Sequence, residues 1–520
     1  MTVSQPAVPS VGGTTTNAEF DIDIVGLGPV GALAANLLGQ RGISTFACDR
    51  STIIYPLPRA LGFDHETMRI LQACDLADAV QDFVRVYPRT EYRGVDGRMI
   101  SQFESVPEPF PLGWAPNYTF NQPEFERILR SGIGRYPCVD VMLGAEVSAV
   151  AEDPDGVTLR VRDVDSAAGR DVRARYVIAA DGGGSTIRRQ LGIEMESLDF
   201  DEPWIVIDII CDDLAAGFLP DRVIQYCEPA RPTTYVVGPG NHRRWEMMIL
   251  PGEDAATIAT VTPPFMAQGM VQGLRDVFNL TWKLDLVLRG ANPDALDSYE
   301  TERKPHVRAT SEAAKGLGQV ICELELDRAR ARDSRMLADS GDPPRVRLRQ
   351  NLIPGLTGGL LDLNSDAAGE ILPQPNVHTS HGERRLDDVT GATFRLIARS
   401  DLASALAADP IVRAAVDLLG GCIVAVHQSH SDNTSMPNGD PIVVVADPAG
   451  TFDRWFQVHQ CSAVLVRPDH YVYGIGDDVA SVARLCAKAL ADCGLDQGLL
   501  ERQVPARRDG AVYGADRSRS

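Results

Sequence analysis

Three glycines near the start of the chain have the spacing of a nucleotide-binding turn. Gly26, Gly28 and Gly31 form a GxGxxG pattern between the apolar run DIDIV and the helical pattern PVGALAANLLGQRG. The first glycine permits a tight turn, the second lets the backbone approach a pyrophosphate, and the third allows the helix to pack closely on the strand. The helix N-terminus would offer free N–H groups to phosphates. The pattern predicts a dinucleotide site, with a purely structural βαβ turn as the alternative.

An acidic residue ends the second predicted strand. The run STFACDR follows the helix and reaches Asp49, with Arg50 directly after it. A carboxylate at this point of a βαβ unit accepts hydrogen bonds from ribose hydroxyls. We therefore place Asp49 and Arg50 in the predicted nucleotide site. These residues alone leave NAD, NADP and FAD open as the cofactor.

A second glycine-rich turn lies in the segment RYVIAADGGGSTIRRQLG, residues 175–192. Its first half is typical of a buried strand, which ends at Asp181 and Gly182. Ser185 stands where it can cap the helix that follows. A simple dehydrogenase has no evident need for a second turn of this kind. A capped surface turn is the alternative interpretation.

This second motif resembles the Asp-Gly motif of the flavoprotein aromatic hydroxylases, the group that includes p-hydroxybenzoate hydroxylase and phenol hydroxylase. The chain as a whole, roughly residues 20–500, resembles the bacterial 3-(3-hydroxyphenyl)propionate hydroxylase subgroup. The stretches that carry this resemblance are YPLPRALGFDHET, NHRRWEMMILPGED, GMVQGLRDVFNLTWKL, SYETERKPHVRA and RWFQVHQCSAVLVRPDHYVYG. The resemblance implies that the cofactor is FAD.

The resemblance also implies that one helix lies against the flavin ring. The segment TPPFMAQGMVQGLRDVFNLTWKLDLVLRG is similar to the family's flavin-ring helix. Pro264 stiffens the approach to this helix, and Gly269 and Met270 are the residues expected against the ring. The positive end of the helix dipole would stabilise the anionic reduced flavin.

Two further residues match flavin-contacting positions of the family. Arg59 lies in the loop YPLPRALGFDHET, and Gln122 precedes the proline of YTFNQPEFERILR. A solvated loop arginine and a residue at a helix entrance are the alternatives. The sequence assigns no catalytic base; His65 and Tyr118 are speculative candidates, and a structural role is the favoured interpretation of each.

Pattern and resemblance together predict an α/β chain in which a Rossmann-like FAD-binding domain carries an interleaved antiparallel-sheet substrate domain, apparently shortened, and is followed by a thioredoxin-like domain. The predicted divisions are a disordered tail over 1–19, the FAD-binding domain over 20–345 with substrate-domain segments at about 84–120 and 200–260, a linker over 346–377, the thioredoxin-like domain over 378–505 and a tail over 506–520. The last domain contains no CxxC, so no redox role follows for it.

The resemblance implies a monooxygenase that hydroxylates a phenolic aromatic acid similar to 3-(3-hydroxyphenyl)propionate. NADH or NADPH would reduce FAD, and O2 would then form a flavin C4a-hydroperoxide that transfers oxygen to the ring. The cofactor performs this chemistry, while the protein orients it and excludes water. The sequence leaves the exact arene and the choice between NADH and NADPH open.

One departure from the family concerns the region after NHRRWEMMILPGED. The chain reaches TPPF within a few residues, whereas relatives place several dozen residues there, including a Gly-Asp pair that holds the flavin ribityl chain. Asp254 is a weak candidate for a substitute. A non-catalytic or degenerate flavin-fold protein is therefore the alternative function. A simple NAD dehydrogenase would leave two of the motifs unexplained.

Composition excludes several other classes of function. The net charge is −21, from 50 basic and 71 acidic residues, and no basic run is present, so nucleic acid is not an expected partner. No apolar stretch is long enough to span a bilayer, and no secretory signal is visible. The ten cysteines are scattered, which argues against a metal site and disulfides. We expect a cytoplasmic protein and leave a homodimer open.

Overall fold

The structure is a computed structural model that describes residues 19–253, 268–340, 346–348, 353–428 and 442–495. Its strands are β1 (Phe20–Val25), β2 (Thr45–Asp49), β3 (Gly62–Asp64), β4 (Val84–Val86), β5 (Thr90–Arg93), β6 (Met99–Glu104), β7 (Asn117–Phe120), β8 (Val139–Leu143), β9 (Ala145–Asp153), β10 (Gly156–Asp163), β11 (Gly169–Ala179), β12 (Trp204–Ile210), β13 (Val223–Tyr226), β14 (Thr233–Val237), β15 (His242–Met248), β16 (Val346–Leu348), β17 (Asn376–Thr379), β18 (Gly382–Arg385), β19 (Arg395–Arg399), β20 (Cys422–His427), β21 (Ile442–Ala446), β22 (Ala463–Val466) and β23 (Val472–Gly476).

Helices alternate with these strands along the chain. They are α1 (Pro29–Gln40), α2 (His65–Ala73), α3 (Ala77–Gln81), α4 (Gln122–Ile133), α5 (Thr186–Gln190), α6 (Asp213–Phe218), α7 (Gln268–Leu288), α8 (Ser298–Ile321), α9 (Leu326–Ser340), α10 (Leu386–Thr390), α11 (Ser400–Ala408), α12 (Pro410–Leu418), α13 (Thr451–Val458) and α14 (Val479–Asp492). Within the described ranges, no helix is both long enough and apolar enough to cross a bilayer.

The chain divides into two compact units. The first comprises Met1–Pro107, Ala115–Thr281 and Thr310–Leu352, and the second comprises Glu108–Trp114, Trp282–Ala309 and Ile353–Ser520. The first unit contains a six-stranded sheet in the order β8-β2-β1-β11-β10-β9. Its strands β8, β2, β1 and β11 are parallel neighbours, whereas β10 pairs antiparallel with both β11 and β9. The centre of this sheet is apolar, as the run DIDIV predicts, with Ile22 and Ile24 fully buried.

A second sheet of the first unit has the order β12-β15-β14-β13-β5-β6-β16. The four strands from β12 to β13 are antiparallel neighbours. One end of this sheet packs on apolar side chains of α8 and α9, and the buried members of that cluster are Tyr92, Ile100, Phe103, Trp204, Cys227, Met248 and Ile321. This sheet therefore has its own core within the first unit.

The second unit contains a seven-stranded sheet in the order β18-β17-β21-β20-β19-β22-β23. Strands β19, β20 and β21 are parallel, whereas β22 and β23 are antiparallel additions on the other side of β19. In chain order, β19 and β20 are joined through α11 and α12, and β22 and β23 are followed by α14. The mixed α/β fold class predicted from the sequence is confirmed.

Buried charges in the second unit are paired. Glu302 accepts from Lys283 Nζ at 2.9 Å and from Arg467 Nη2 at 2.7 Å, and Arg467 also donates to Asp469 at 2.6 Å. Two positive and two negative side chains thus neutralise one another out of contact with water. Such a network is strongly destabilised when a single partner is removed, because a buried charge is then left uncompensated.

Asp23, in the middle of β1, has no such compensation. Its side chain is completely buried, and neither carboxyl oxygen has a hydrogen-bond partner in the described part of the chain. Its nearest neighbours across the sheet are Phe46 on β2 and Val177 on β11. Burial and, to a smaller extent, the charge of Glu19 raise the pKa of Asp23 to about 7, against the opposing charge of Arg170. The folded protein therefore holds this proton at pH values where the unfolded chain has lost it.

Asp23→Asn is expected to remove a pH-dependent loss of stability. Because the pKa in the folded state lies above its ordinary value of 3.8, wild-type stability falls as the pH rises from about 4 to about 7. The free energy of unfolding of the variant, relative to that of the wild type, should increase by roughly 3 kcal/mol from pH 5 to pH 8. Urea unfolding at both pH values measures this difference. Asp140→Asn, at an exposed position of β8, is the control. Its stability relative to the wild type should be nearly the same at pH 5 and pH 8.

Candidate functional site

The first glycine turn connects β1 to α1 and leaves space in front of the helix. Gly26 has a φ of +97°, and a Cβ on Gly31 would overlap the carbonyl oxygen of Gly26. A Cβ on Gly28, by contrast, would meet nothing within 4 Å. Gly28 is the N-cap of α1 and provides no side-chain cap, so the first N–H groups of this helix face that space. The turn thus has both the tight backbone and the open cradle that a pyrophosphate requires.

The second glycine turn, at the end of β11, lies directly beside the first. Ala180 N–H donates to the Val25 carbonyl at 2.8 Å, and a Cβ on Gly26 would collide with the backbone of Ala180. Asp181 Oδ2 accepts from Thr186 N–H at 2.7 Å, which fixes the carboxylate at the start of α5. Asp181 Oδ1 is buried without a partner among the described residues, and Gly182 has a φ of +88°. One carboxylate oxygen therefore remains available to a ligand donor.

The start of α7 approaches the same place. A Cβ on Gly273 would stand only 2.6 Å from Val30 Cγ2, so α7 passes closely along the first turn of α1. Gly269 is exposed with open space around its Cα, and Met270 is half-buried. Pro264 lies outside the described residues. The three segments that the sequence singled out, although far apart along the chain, thus converge at the carboxyl ends of β1 and β11.

Asp49 is held at the end of β2 next to the first turn. Its Oδ2 accepts from Leu27 N–H at 2.7 Å, and its Oδ1 accepts from Ser51 N–H at 2.8 Å. Arg130 on α4 donates from Nε to the Leu27 carbonyl at 2.8 Å and places Nη2 3.7 Å from Asp49 Oδ2. Arg50 is exposed beside this cluster. A carboxylate and a guanidinium therefore flank the turn.

The loop that carries Arg59 is attached to the start of α4. Gln122 is buried, and its Oε1 accepts from Arg59 N–H at 3.0 Å and from Ala60 N–H at 2.8 Å. The Arg59 side chain is exposed, with its guanidinium carbon 5.3 Å from the centre of the Tyr55 ring. Gln122 thus positions the backbone of the loop and leaves the Arg59 side chain accessible.

A buried arginine on the second sheet supports this loop from the other side. Arg244 on β15 donates to both carboxylate oxygens of Asp208 on β12, each at 2.8 Å, and it also donates to the carbonyls of Pro58 and Arg59. His242 Nε2 lies 2.6 Å from Asp208 Oδ1. Burial alone would raise the pKa of Asp208, but its hydrogen bonds with His242 and Arg244 lower it. The carboxylate therefore stays charged and keeps Arg244 directed at the loop.

Two of these residues were not predicted from the sequence. Arg130 had a detectable signal, because Gln122, Glu126 and Arg130 recur at intervals of four residues and so share one face of α4. Arg130 Nη2 donates to Glu126 at 2.8 Å on that face. The sequence contains no such signal for Arg244, because its partner Asp208 faces it only through the register of β12 and β15.

His65 and Tyr118 occupy structural positions. His65 is buried at the start of α2, and burial lowers its pKa, so the imidazole is neutral at pH 7. Tyr118 Oη accepts from Ala115 N–H at 2.8 Å. Neither observation assigns a catalytic base.

These residues fit FAD. The open space at Gly28 and the uncapped start of α1 suit the pyrophosphate, and the Asp49 carboxylate suits a ribose hydroxyl. The orphaned Asp181 Oδ1 and the exposed start of α7 add contact points around the same cradle.

Comparison with known protein families supports this assignment. The family model described as an FAD binding domain matches residues 19–261 and 254–314, and the one described as an HcaD C-terminal domain matches residues 369–491. The two segments of the first match meet at residues 254–261, where the sequence predicts that relatives carry additional residues. The N-terminal and C-terminal parts of the chain therefore match separate family models.

Curated relatives cover nearly the whole chain. It is 34% identical to the "probable NADH-specific resorcinol 4-hydroxylase" of Rhodococcus jostii strain RHA1, over 91% of this chain and 94% of that protein. It is 31% identical to the 3-(3-hydroxy-phenyl)propionate/3-hydroxycinnamic acid hydroxylase of Burkholderia cenocepacia strain HI2424, over 90% and 95% respectively. The fold matches the crystal structure of the flavin-dependent monooxygenase PieE with FAD and substrate, at a TM-score of 0.73 and 18% identity, over 92% of this chain and 100% of that one.

Gly28→Ala is expected to weaken FAD binding without affecting the fold. The backbone of Gly28 is extended, so alanine fits it, but the added methyl group would occupy the cradle. The dissociation constant for FAD, measured by flavin fluorescence quenching, should rise about ten-fold or more, equivalent to at least about 1.4 kcal/mol. The melting temperature of the apoprotein should stay unchanged.

Two other alanine variants separate the roles of the glycines. Gly217→Ala, in exposed α6 with open space around it, should change neither property. Gly31→Ala should instead lower the stability of the apoprotein, because its methyl group overlaps the Gly26 carbonyl. Wild-type FAD affinity in Gly28→Ala would contradict the assignment of the cradle.

Arg244→Met is expected to destabilise the first unit by about 2 kcal/mol, because Asp208 and two loop carbonyls lose a buried donor. Urea unfolding measures the change in the free energy of unfolding. Arg160→Met is the matched control, since Arg160 pairs with Asp171 on an exposed surface and should cost less than about 1 kcal/mol. Equal costs in the two variants would show that the Arg244 contacts do not hold the loop.

The sequence relatives and the geometry agree on one cofactor and one class of enzyme. Nine-tenths of the chain aligns with aromatic hydroxylases, and the residues around the two glycine turns fit the nucleotide that this class binds. The protein is an FAD-dependent aromatic monooxygenase. The chain belongs to the family of FAD-dependent aromatic hydroxylases.

Proposed function

We propose that the protein hydroxylates a small phenolic compound, in the class of 3-(3-hydroxyphenyl)propionate or resorcinol, with FAD, O2 and a reduced nicotinamide. The observation that carries this proposal is the convergence of the two glycine turns and the start of α7 at one cradle. The substrate class comes from the relatives, which are named as hydroxylases of resorcinol and of 3-(3-hydroxyphenyl)propionate. We assign NADH as the reductant on the name of the Rhodococcus relative.

The proposed cofactor contacts follow from the positions described above. Gly26, Gly28 and Gly31 would hold the pyrophosphate against the start of α1, and Asp49 would bind the adenosine ribose. Around the flavin, we assign Arg59, Gln122, Asp181 with Gly182, and Gly269 with Met270. FAD supplies the redox and oxygen chemistry when bound.

The protein's own side chains would keep the reaction site ordered and dry. Gln122 and Arg244 hold the loop of Arg59 from two directions, through its backbone N–H groups and carbonyls. Leu61, which ends this loop, packs against Val223 and Val236 of the second sheet. An apolar wall of this kind excludes water, which protects a reactive flavin from unproductive reactions.

The domain organisation and location are also proposed. We assign the first unit to FAD and substrate binding, with its second sheet as the substrate domain, and the segment 378–505 to a thioredoxin-like domain. We propose a cytoplasmic location, in keeping with an NADH-dependent reaction on a small aromatic molecule.

Stimulated NADH oxidation tests the proposed activity. The full chain is loaded with FAD and mixed with NADH and either 3-(3-hydroxyphenyl)propionate or resorcinol under ¹⁸O2. We expect the phenol to accelerate NADH oxidation about ten-fold or more, with one ¹⁸O atom in the product by mass spectrometry. The non-phenolic 3-phenylpropionate is the matched substrate control and should give no hydroxylated product.

The alternative of a non-catalytic flavin-fold protein makes a different prediction. It is not favoured, because the curated relatives aligned over nine-tenths of the chain are hydroxylases. It would give neither substrate-stimulated NADH oxidation nor labelled product. Oxidation of NADH that yields only hydrogen peroxide with every phenol tried would also contradict the proposed function.

A further inference from the structure

The second unit contains a cavity of about 230 Å³ that the proposed oxygenation does not use. It lies at the carboxyl ends of the adjacent parallel strands β19, β20 and β21. Each strand contributes a residue at or just after its end: Arg399, His427 and Asp447. In open α/β sheets, ligands bind in the crevice outside the carboxyl ends of the strands. The cavity therefore occupies the usual ligand position of such a sheet.

The positive charge in the cavity is already neutralised. Arg399 Nη1 donates to Asp453 Oδ1 at 2.7 Å, and Gln428 Nε2 donates to the other oxygen of the same carboxylate. The Arg399 guanidinium also lies over the Phe456 ring, 5.3 Å from its centre. Both groups of this ion pair are thus fixed, and neither the arginine nor Asp453 supplies a net charge to a ligand.

Asp447 is different, because half of its carboxylate has no partner. The residue is only 2% exposed, and Oδ2 accepts from Phe452 N–H at 2.7 Å at the start of α13. Oδ1 accepts no hydrogen bond from the described residues. A buried carboxylate oxygen without a donor costs free energy, which a ligand donor would recover. Asp401, at the start of α11, adds a second carboxylate to the lining.

The walls around these carboxylates include apolar surface. Val426 and Phe456 line the cavity, and Phe456 is almost completely buried. A volume of about 230 Å³ corresponds to roughly eight water molecules in the liquid, which is enough for a small organic group. Within the described ranges, no three acidic, histidine or cysteine side chains are grouped so that they could hold a metal ion.

We propose that this cavity is a binding site for a small organic cation, an alkylammonium group whose N–H donates to Asp447 and whose carbon chain contacts Val426 and Phe456. The negative charge of Asp447 and Asp401 favours a cation over an anion. The apolar wall favours an alkylammonium over a bare inorganic ion. The site is independent of the FAD cradle, since all of its residues belong to the second unit.

Calorimetry on the FAD-loaded full-length protein tests this proposal, with n-butylammonium as the probe. We expect saturable binding at one site per chain with a dissociation constant in the millimolar range or tighter. Asp447→Asn keeps the acceptor for Phe452 N–H but replaces the unpaired oxygen with a donor, and it should weaken binding at least about ten-fold. Butyrate and n-butanol, which match the probe in size, should bind at least ten-fold more weakly.

Matched variants decide the outcome. Asp417→Asn removes the same charge from an exposed position of α12 and should leave the affinity unchanged within two-fold. Val426→Trp fills the cavity and should abolish binding, which provides a second test if Asp447→Asn folds poorly. Phenol-stimulated NADH oxidation should be unchanged in both cavity variants. The proposal is wrong if n-butylammonium does not bind up to 50 mM, if butyrate binds equally well, or if the affinity survives both cavity variants.

Discussion

The contact between the two glycine turns is the constraint on which the first unit depends. Gly26 lies against the backbone of Ala180, and Gly31 lies against the carbonyl of Gly26, at distances that leave no room for a side chain. This close packing puts the ends of β1 and β11 side by side and brings the start of α1 up to both. An open cradle and a carboxylate oxygen without a partner then lie next to one another, which is what a long dinucleotide needs in order to bind along both turns.

Charged side chains differ in how they are compensated by their neighbours. The buried Arg244 pairs with the partly exposed carboxylate of Asp208 and supports the loop of Arg59, whereas the charges around Glu302 are paired in the interior of the second unit. Asp23 is the exception, because it lies three residues before Gly26 and its carboxyl oxygens have no hydrogen-bond partner among the described residues. A carboxyl group in the interior stays ionised where donors hydrogen-bond to it, and it keeps its proton where they do not.

Local features of the site could be predicted from the sequence, and long-range ones could not. The strand, glycine turn and helix around Gly28 follow one another within a few residues, so their pattern is readable, as is the Asp-Gly pair at Asp181. The position of Asp49 at a strand end followed from the same reasoning. Arg244 was missed because its partner lies 36 residues away in the chain and meets it only through strand register. The burial of Asp23 was also missed, because Asp21 has the same residue type two positions earlier in the strand and remains accessible. Pattern alone does not distinguish these two carboxylates.

Helix α4 connects two parts of the site that the chain keeps separate. Its first residue, Gln122, binds the loop of Arg59, and Arg130, on the same face, binds the turn at Leu27. Eight residues of α-helix span about 12 Å, and the helix backbone makes this separation nearly incompressible. A tilt of α4 would therefore move the loop of Arg59 and the turn at Leu27 together. One helix thus couples the position of the glycine turn after β1 to the position of the loop before β3.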